Sequence, residues 1–167
     1  MALSDIATPF GLYLFLAAAV PIAIWVAWSD MARMKIPNRA VVVLFLAYAA
    51  LGPFALPLDS YLWGYANLGI VLAIGFLLNM AGVFGAGDAK FCAAAAPFVA
   101  LADLPTVAVL LAALLIAAFA VHRGARSIPA IRRLVPEWES WRRADFPMGL
   151  ALGPALAGYL ALATFSA

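Results

Sequence analysis

The chain has 167 residues, of which 68% are hydrophobic and only 11% charged, with a net charge of +2. A soluble domain is about 45–50% apolar and about 25% charged, so this chain lacks the polar residues to cover a surface in water. That excludes a soluble enzyme, a disordered chain and a nucleic-acid-binding domain, the last also because the net charge is too small for a phosphate footprint. Single copies of cysteine (Cys92) and histidine (His122) exclude an internal disulfide, a cysteine zinc site and a histidine metal cluster. What remains is an all-α, polytopic membrane protein whose eight acidic residues are the main candidates for chemistry.

A helix needs about 20 apolar residues to cross a hydrocarbon core about 30 Å thick. Intervals between charges predict six transmembrane helices in one membrane-embedded domain, 1–167, at approximately 7–28, 39–57, 62–82, 89–103, 105–122 and 147–165. The first has only Asp5 before it, lacks the basic flank of a signal peptide, and reads as a retained helix kinked near Pro21. The fourth is short. From Asp88 to Asp103 a helix would rise about 22 Å at about 1.5 Å per residue, so the bilayer must thin or Asp88 must lie below the headgroups. Charge argues that this segment crosses. With both termini extracytoplasmic, all ten Lys and Arg fall on the cytoplasmic side, and Asp5, Asp59 and Asp103 fall outside. The continuous apolar runs exclude a β-barrel.

The polar stretch 123–146 is the cytoplasmic loop. Ile128, Ile131, Leu134, Trp138 and Trp141 recur at three- to four-residue spacing between arginines, the pattern of an amphipathic helix lying in the interface. Pro129 and Pro136 would divide it, with Pro136 opening the second piece. A loop folded against the bundle fits the same pattern, and both readings stay open. Cys92 reads as a small packing residue, His122 as an interface residue, and Glu137, Glu139 and Asp145 as partners for nearby arginines.

Two acids stand out. Asp30 follows the first span and Asp88 precedes the fourth, so the predicted topology puts both at cytoplasmic helix ends, at similar depth. Two neighbouring carboxylates cannot both ionise cheaply, so one keeps a proton while the other stays charged. The charged one can take a proton from water while the neutral one protonates the peptide carbonyl or leaving nitrogen. This aspartic protease chemistry requires no metal and no cofactor. Each acid alone has a plainer reading, Asp30 as a partner of Arg33 and Asp88 of Lys90. Gly85-Ala86-Gly87 before Asp88 allows positive φ and close backbone approach. Pro37 holds the preceding Lys-Ile extended, and Asn38 is placed to cap the second span.

Taken together, the aspartate ending the first span, Ile36-Pro37-Asn38 opening the second and Gly85-Ala86-Gly87-Asp88-Ala89-Lys90 opening the fourth are far more specific than each part. They resemble the type IV prepilin peptidase family, the GxGD-type membrane aspartic proteases. Phe146-Pro147-Met148-Gly149-Leu150-Ala151-Leu152 looks like that family's motif at its last span, with Met148 where an aromatic is commoner. The resemblance runs from about Trp28 to Gly153. It implies Asp30 and Asp88 as the catalytic pair, with Gly85, Gly87, Lys90, Pro37, Asn38, Pro147 and Gly149 as supporting motif positions. It implies a membrane-anchored prepilin or pseudopilin as substrate, cut between a basic leader and its helix at the cytoplasmic face of a bacterial inner membrane. Membrane lipids are the other implied partner, and no nucleic acid is.

Long family members carry paired CxxC motifs linked to N-methylation. None occurs here, so the resemblance is to the short branch serving Flp/Tad-type pili, and cleavage without methyl transfer is expected. Archaeal preflagellin peptidases are close relatives with the same chemistry. The rival reading is a non-proteolytic membrane protein, a small cation- or proton-coupled transporter or a pilus-assembly scaffold, with Asp30 and Asp88 as ion ligands or structural groups. Transporters usually show inverted halves or paired broken helices, and no such symmetry is visible. Separation of the two carboxylates across the bundle would favour that rival.

Overall fold

The computed structural model describes all residues, 1–167. It is an all-α bundle of α1 (Leu3–Ile6), α2 (Pro9–Arg33), α3 (Asn38–Ala55), α4 (Leu58–Met80), α5 (Ala86–Ala95), α6 (Leu104–Ser127), α7 (Pro129–Leu134) and α8 (Gly149–Ser166). Five helices, α2, α3, α4, α6 and α8, are long and apolar enough to cross a membrane. Without water in the hydrocarbon core, a helix is the conformation in which a spanning segment satisfies its own backbone.

The fourth predicted span departs from a simple helix. α5 ends at Ala95, a 3-10 turn covers Ala96–Phe98, and Val99 and Ala100 are extended before a second 3-10 turn, Leu101–Asp103. Pro97 is the physical reason, because it has no N–H to continue the helix. Pro97 and Phe98 are buried, and the Ala100 N–H donates to the Tyr159 hydroxyl at 3.3 Å. Irregular backbone inside a membrane is tolerated only when protein covers it in this way.

α2 and α8 pack backbone to backbone. A Cβ on Gly153 would lie 2.7 Å from the Ala23 carbonyl oxygen, so the two backbones touch directly. Small residues drive such packing in lipid, where apolar surface gains nothing by leaving one hydrocarbon for another. The core beside this contact holds Leu12, Phe15, Tyr48, Phe98 and Leu160, all without exposed surface. Phe15 meets Phe98 edge-on with centroids 5.0 Å apart. Tyr48 donates to the Tyr61 backbone carbonyl at 2.9 Å, and the half-buried Tyr61 and Tyr65 hydroxyls lie 2.6 Å apart, so each phenol has a partner. By contrast α4 buries only Gly64 and Gly75, and α6 only His122. Their remaining faces are predominantly apolar and point outward, as lipid-facing helices do.

Several local expectations require correction. α2 continues four residues past Ser29, so Asp30 sits in its last turn rather than beyond the helix. The N-cap position of α3 belongs to Pro37, and Asn38 is the first helical residue, so Asn38 does not cap. The periodic stretch in 123–146 is not one interfacial helix: it forms short α7, a turn holding Pro136, and a 3-10 turn at Glu139–Trp141. Pro129, rather than Pro136, opens a helix there. His122 is not at an interface but 1% exposed, stacked on Trp141. Glu137 and Glu139 make no salt bridge; the single ion pair is Arg143–Asp145, at 3.9 Å between exposed groups.

Candidate active site

α2 and α5 bring Asp30 and Asp88 to one end of the bundle, the end that also holds the basic residues of the α2–α3 turn and of 123–146. Both acids line one cavity of about 590 Å³, with a wall of Ser29, Ile36, Pro37 and Asn38, a second of Gly85, Gly87 and Lys90, and a third of Arg143, Asp145, Phe146 and Met148. Four of the predicted motif segments therefore converge on one space. Gly149 reaches Asp30 directly from the edge of the third wall. Pro147 is buried beneath that wall.

The turn after α2 is shaped by Met34, whose φ of 52° is left-handed, an unfavourable conformation for a residue with a Cβ. Two bonds hold it there. The Met34 N–H donates to the Asp30 carbonyl at 2.8 Å, and the buried Ser29 hydroxyl donates to the Lys35 carbonyl at 3.0 Å. The reversal directs Ile36 and Pro37 back over the end of α2, so Asp30 has a roof.

Asp30 is 5% exposed. Its Oδ2 accepts the Gly149 N–H at 2.7 Å, at the N-terminus of α8. An added Cβ on Gly149 would lie 2.9 Å from the Asp30 Cβ and 3.1 Å from Val26 Cγ1. Only a residue without a side chain brings that N–H to the carboxylate. Glycine serves Asp88 similarly, since a Cβ on Gly85 would collide with the Asp88 carboxylate. Of the two freedoms glycine allows in the Gly-Ala-Gly-Asp segment, the structure uses close approach rather than positive φ: Gly85 has φ −68° and Gly87 lies inside α5, while the left-handed glycine is Gly82, at φ 71° in the α4–α5 turn. A Cβ on Gly87 would meet Ile36 at 3.5 Å, an ordinary contact.

Asp88 lies in the first turn of α5, outside the five apolar spans, and is half-buried. Burial pushes its carboxyl up to about 6, and the negative charge of Asp30 adds to the shift. The two acids therefore sense each other across the cavity. Neither is ion-paired. Lys90 donates instead to the Asn38 side chain at 3.4 Å, and the Arg33 guanidinium lies 5.5 Å from the centroid of the Trp28 ring. The plainer readings, Asp30 with Arg33 and Asp88 with Lys90, do not describe this arrangement. No group of three or more His, Cys, Asp or Glu comes together in a way that could hold a metal ion.

Sequence reasoning missed Ser29 and the segment Arg143–Asp145. Their available signal was adjacency, Ser29 to Asp30 and Asp145 to the Phe146-Pro147 motif. A second space of about 490 Å³ lies beside the first, bounded by α4, α5, α6 and α8 and lined almost entirely by apolar side chains. Phe91 and Cys92, one turn along α5 from Asp88, form part of its floor.

Comparison with known proteins agrees with the geometry: residues 10–121 match the type IV leader peptidase family. No curated protein and no solved structure matches the chain.

Proposed function

The chain belongs to the type IV leader peptidase family, and on that premise we propose that it is an aspartic endopeptidase cutting the basic leader from a Flp-type prepilin or pseudopilin. The observation that carries this reading is the common cavity of Asp30 and Asp88, with Asp30 accepting the Gly149 N–H. The pair shares one proton, and because burial and the negative charge of Asp30 push the Asp88 carboxyl up, that proton is assigned to Asp88 and the charge to Asp30. Asp30 takes a proton from water as that water attacks the scissile carbonyl, and Asp88 gives its proton to the carbonyl oxygen. As the tetrahedral gem-diol collapses, Asp30 gives its proton to the leaving nitrogen and Asp88 takes one from a gem-diol hydroxyl, which restores the pair.

Six crossings with both termini extracytoplasmic would put the cavity at the cytoplasmic face of a bacterial inner membrane, where a basic leader is held. The substrate carries one apolar helix directly after the cut. The apolar space along α5, starting at Phe91 and Cys92, would receive that helix by lateral diffusion and leave the preceding peptide beside Asp88. Cleavage without N-methylation is part of this proposal, and the mass of the product tests it.

Co-expression with a prepilin tests the reading. The parent protein should yield mature-length pilin without an added methyl mass. Asp30→Asn and Asp88→Asn should each abolish the product while remaining in the membrane. Full cleavage by either variant would refute the proposed dyad.

A further inference from the structure

The third wall of the cavity is not part of any spanning helix. It is the return segment from the 3-10 turn at Glu139–Trp141 to α8, and an irregular exposed strand of chain has no intrinsic reason to hold one position. The cytoplasmic-loop end of α6 grips it at four points. Arg123 Nη2 donates to the Ala144 carbonyl and Arg126 Nη1 to the Arg143 carbonyl, each at 2.9 Å. The His122 ring stacks on Trp141 with centroids 5.4 Å apart and planes 11° from parallel. Phe146 meets the same ring edge-on at 5.9 Å and also packs on Phe119 at 5.8 Å. Trp141 is fixed in turn by its indole N–H, which donates to the Val135 carbonyl at 2.9 Å.

His122 is buried, yet neither ring nitrogen has a hydrogen-bond partner. A buried histidine retained for its polarity would have one. Its ring is used here as a flat spacer between two aromatic side chains, and the arginines beside it hold the backbone. Five residues beyond Ala144 stands Gly149, whose N–H reaches Asp30. The grip therefore acts on the segment that carries the hydrogen-bond donor to the Asp30 carboxylate.

We propose that His122, Arg123 and Arg126 are positioning residues: they clamp residues 141–146 so that Gly149 is held on Asp30 and Phe146 and Met148 are held as the cavity wall. None of the three touches a reacting atom. The proposal rests on the peptidase reading for its catalytic consequence, but the clamp itself is observable without substrate. Small misplacements of a catalytic group cost large factors in rate. Loss of the clamp should therefore appear in kcat rather than in KM.

The experiment uses the full chain in lipid nanodiscs, with two readouts. The first is pilin cleavage, separated into kcat and KM. The second is trypsin cleavage at Arg142 and Arg143, followed by mass spectrometry. The double variant Arg123→Met, Arg126→Met keeps an unbranched apolar stem and removes the guanidinium donors. It should lower kcat about tenfold, change KM less than twofold, and speed tryptic cutting at Arg142 and Arg143 about tenfold. His122→Ala should behave the same way, and His122→Phe should restore both readouts to within about twofold, because the ring and not its nitrogens is used. A loop that becomes trypsin-sensitive while kcat is unchanged would reduce the clamp to a purely structural contact and overturn the proposal. Unchanged trypsin resistance in the double variant would overturn it as well. If the parent protein trims no pilin, the peptidase reading fails, while the trypsin arm still scores the clamp.

Discussion

Replacing Asp88 with asparagine should make the protein more stable while making it inactive, and by an amount that depends on pH. The Asp88 carboxyl is pushed from the ordinary 3.8 up to about 6, first by burial and then by Asp30. A raised folded value means that the folded state binds this proton more tightly than the unfolded state. Its contribution is most favourable below about 3.8 and is lost as pH rises through about 6. Two pH units correspond to about 3 kcal/mol. Asp88 faces an open cavity, so solvent screening reduces this to about 1–2 kcal/mol. Asparagine does not titrate, and Asp30 rather than Asp88 accepts the Gly149 hydrogen bond, so the substitution strands no donor there. Tryptophan-fluorescence melts in detergent should show Asp88→Asn unfolding about 3–6 °C above the parent at pH 8. The gap should close to about 1 °C at pH 4. A variant that melts at or below the parent at pH 8, or a gap that does not change with pH, would refute the assignment of Asp88 as a destabilised, proton-holding acid.

Other substitutions test the packing around the site. Gly149→Ala should remove nearly all cleavage, because its Cβ meets Asp30 and Val26; a cleavage assay showing parental rates would contradict the tight fit. Gly153→Ala should cost about 1–3 kcal/mol through backbone contact with Ala23, whereas Gly69→Ala, with nothing within 4 Å, should be neutral or slightly stabilising in the same melts. Asp103 accepts from the Tyr159 hydroxyl at 2.7 Å and the Leu3 N–H at 2.8 Å, far from the cavity. Asp103→Asn should therefore lower stability by about 1–3 kcal/mol while pilin trimming per folded molecule stays at the parental level.

The membrane class and the helices were legible because lipid leaves a chain so few options: uninterrupted apolar runs between charges can be little else. A similar depth for Asp30 and Asp88 was legible, since both end up where a helix meets the charged face, but singling them out as a pair took the combined motifs and the family resemblance. What escaped was set by contacts between distant segments. Nothing near Asn38 shows that its amide faces Lys90 from another helix. His122 among arginines reads as a surface residue until Trp141 is found covering it. Gly149 was marked by its motif, but its task became visible only when α8 was seen lying against the last turns of α2. The loop 123–146 left two readings open, an interfacial helix or a fold against the bundle, and the structure takes the second. Its spacing suits a helix, but two prolines and the grip of α6 give its aromatic residues a protein partner instead of a lipid one.

One contact in this bundle joins the first long helix to the last, and its hydrogen bond spans 119 positions of sequence. A ribosome delivering this chain must release α8 before Asp30 acquires its partner. Until then the nascent polypeptide holds an acid but no finished cutting machine. Closing a connection this remote along the chain carries a large search cost.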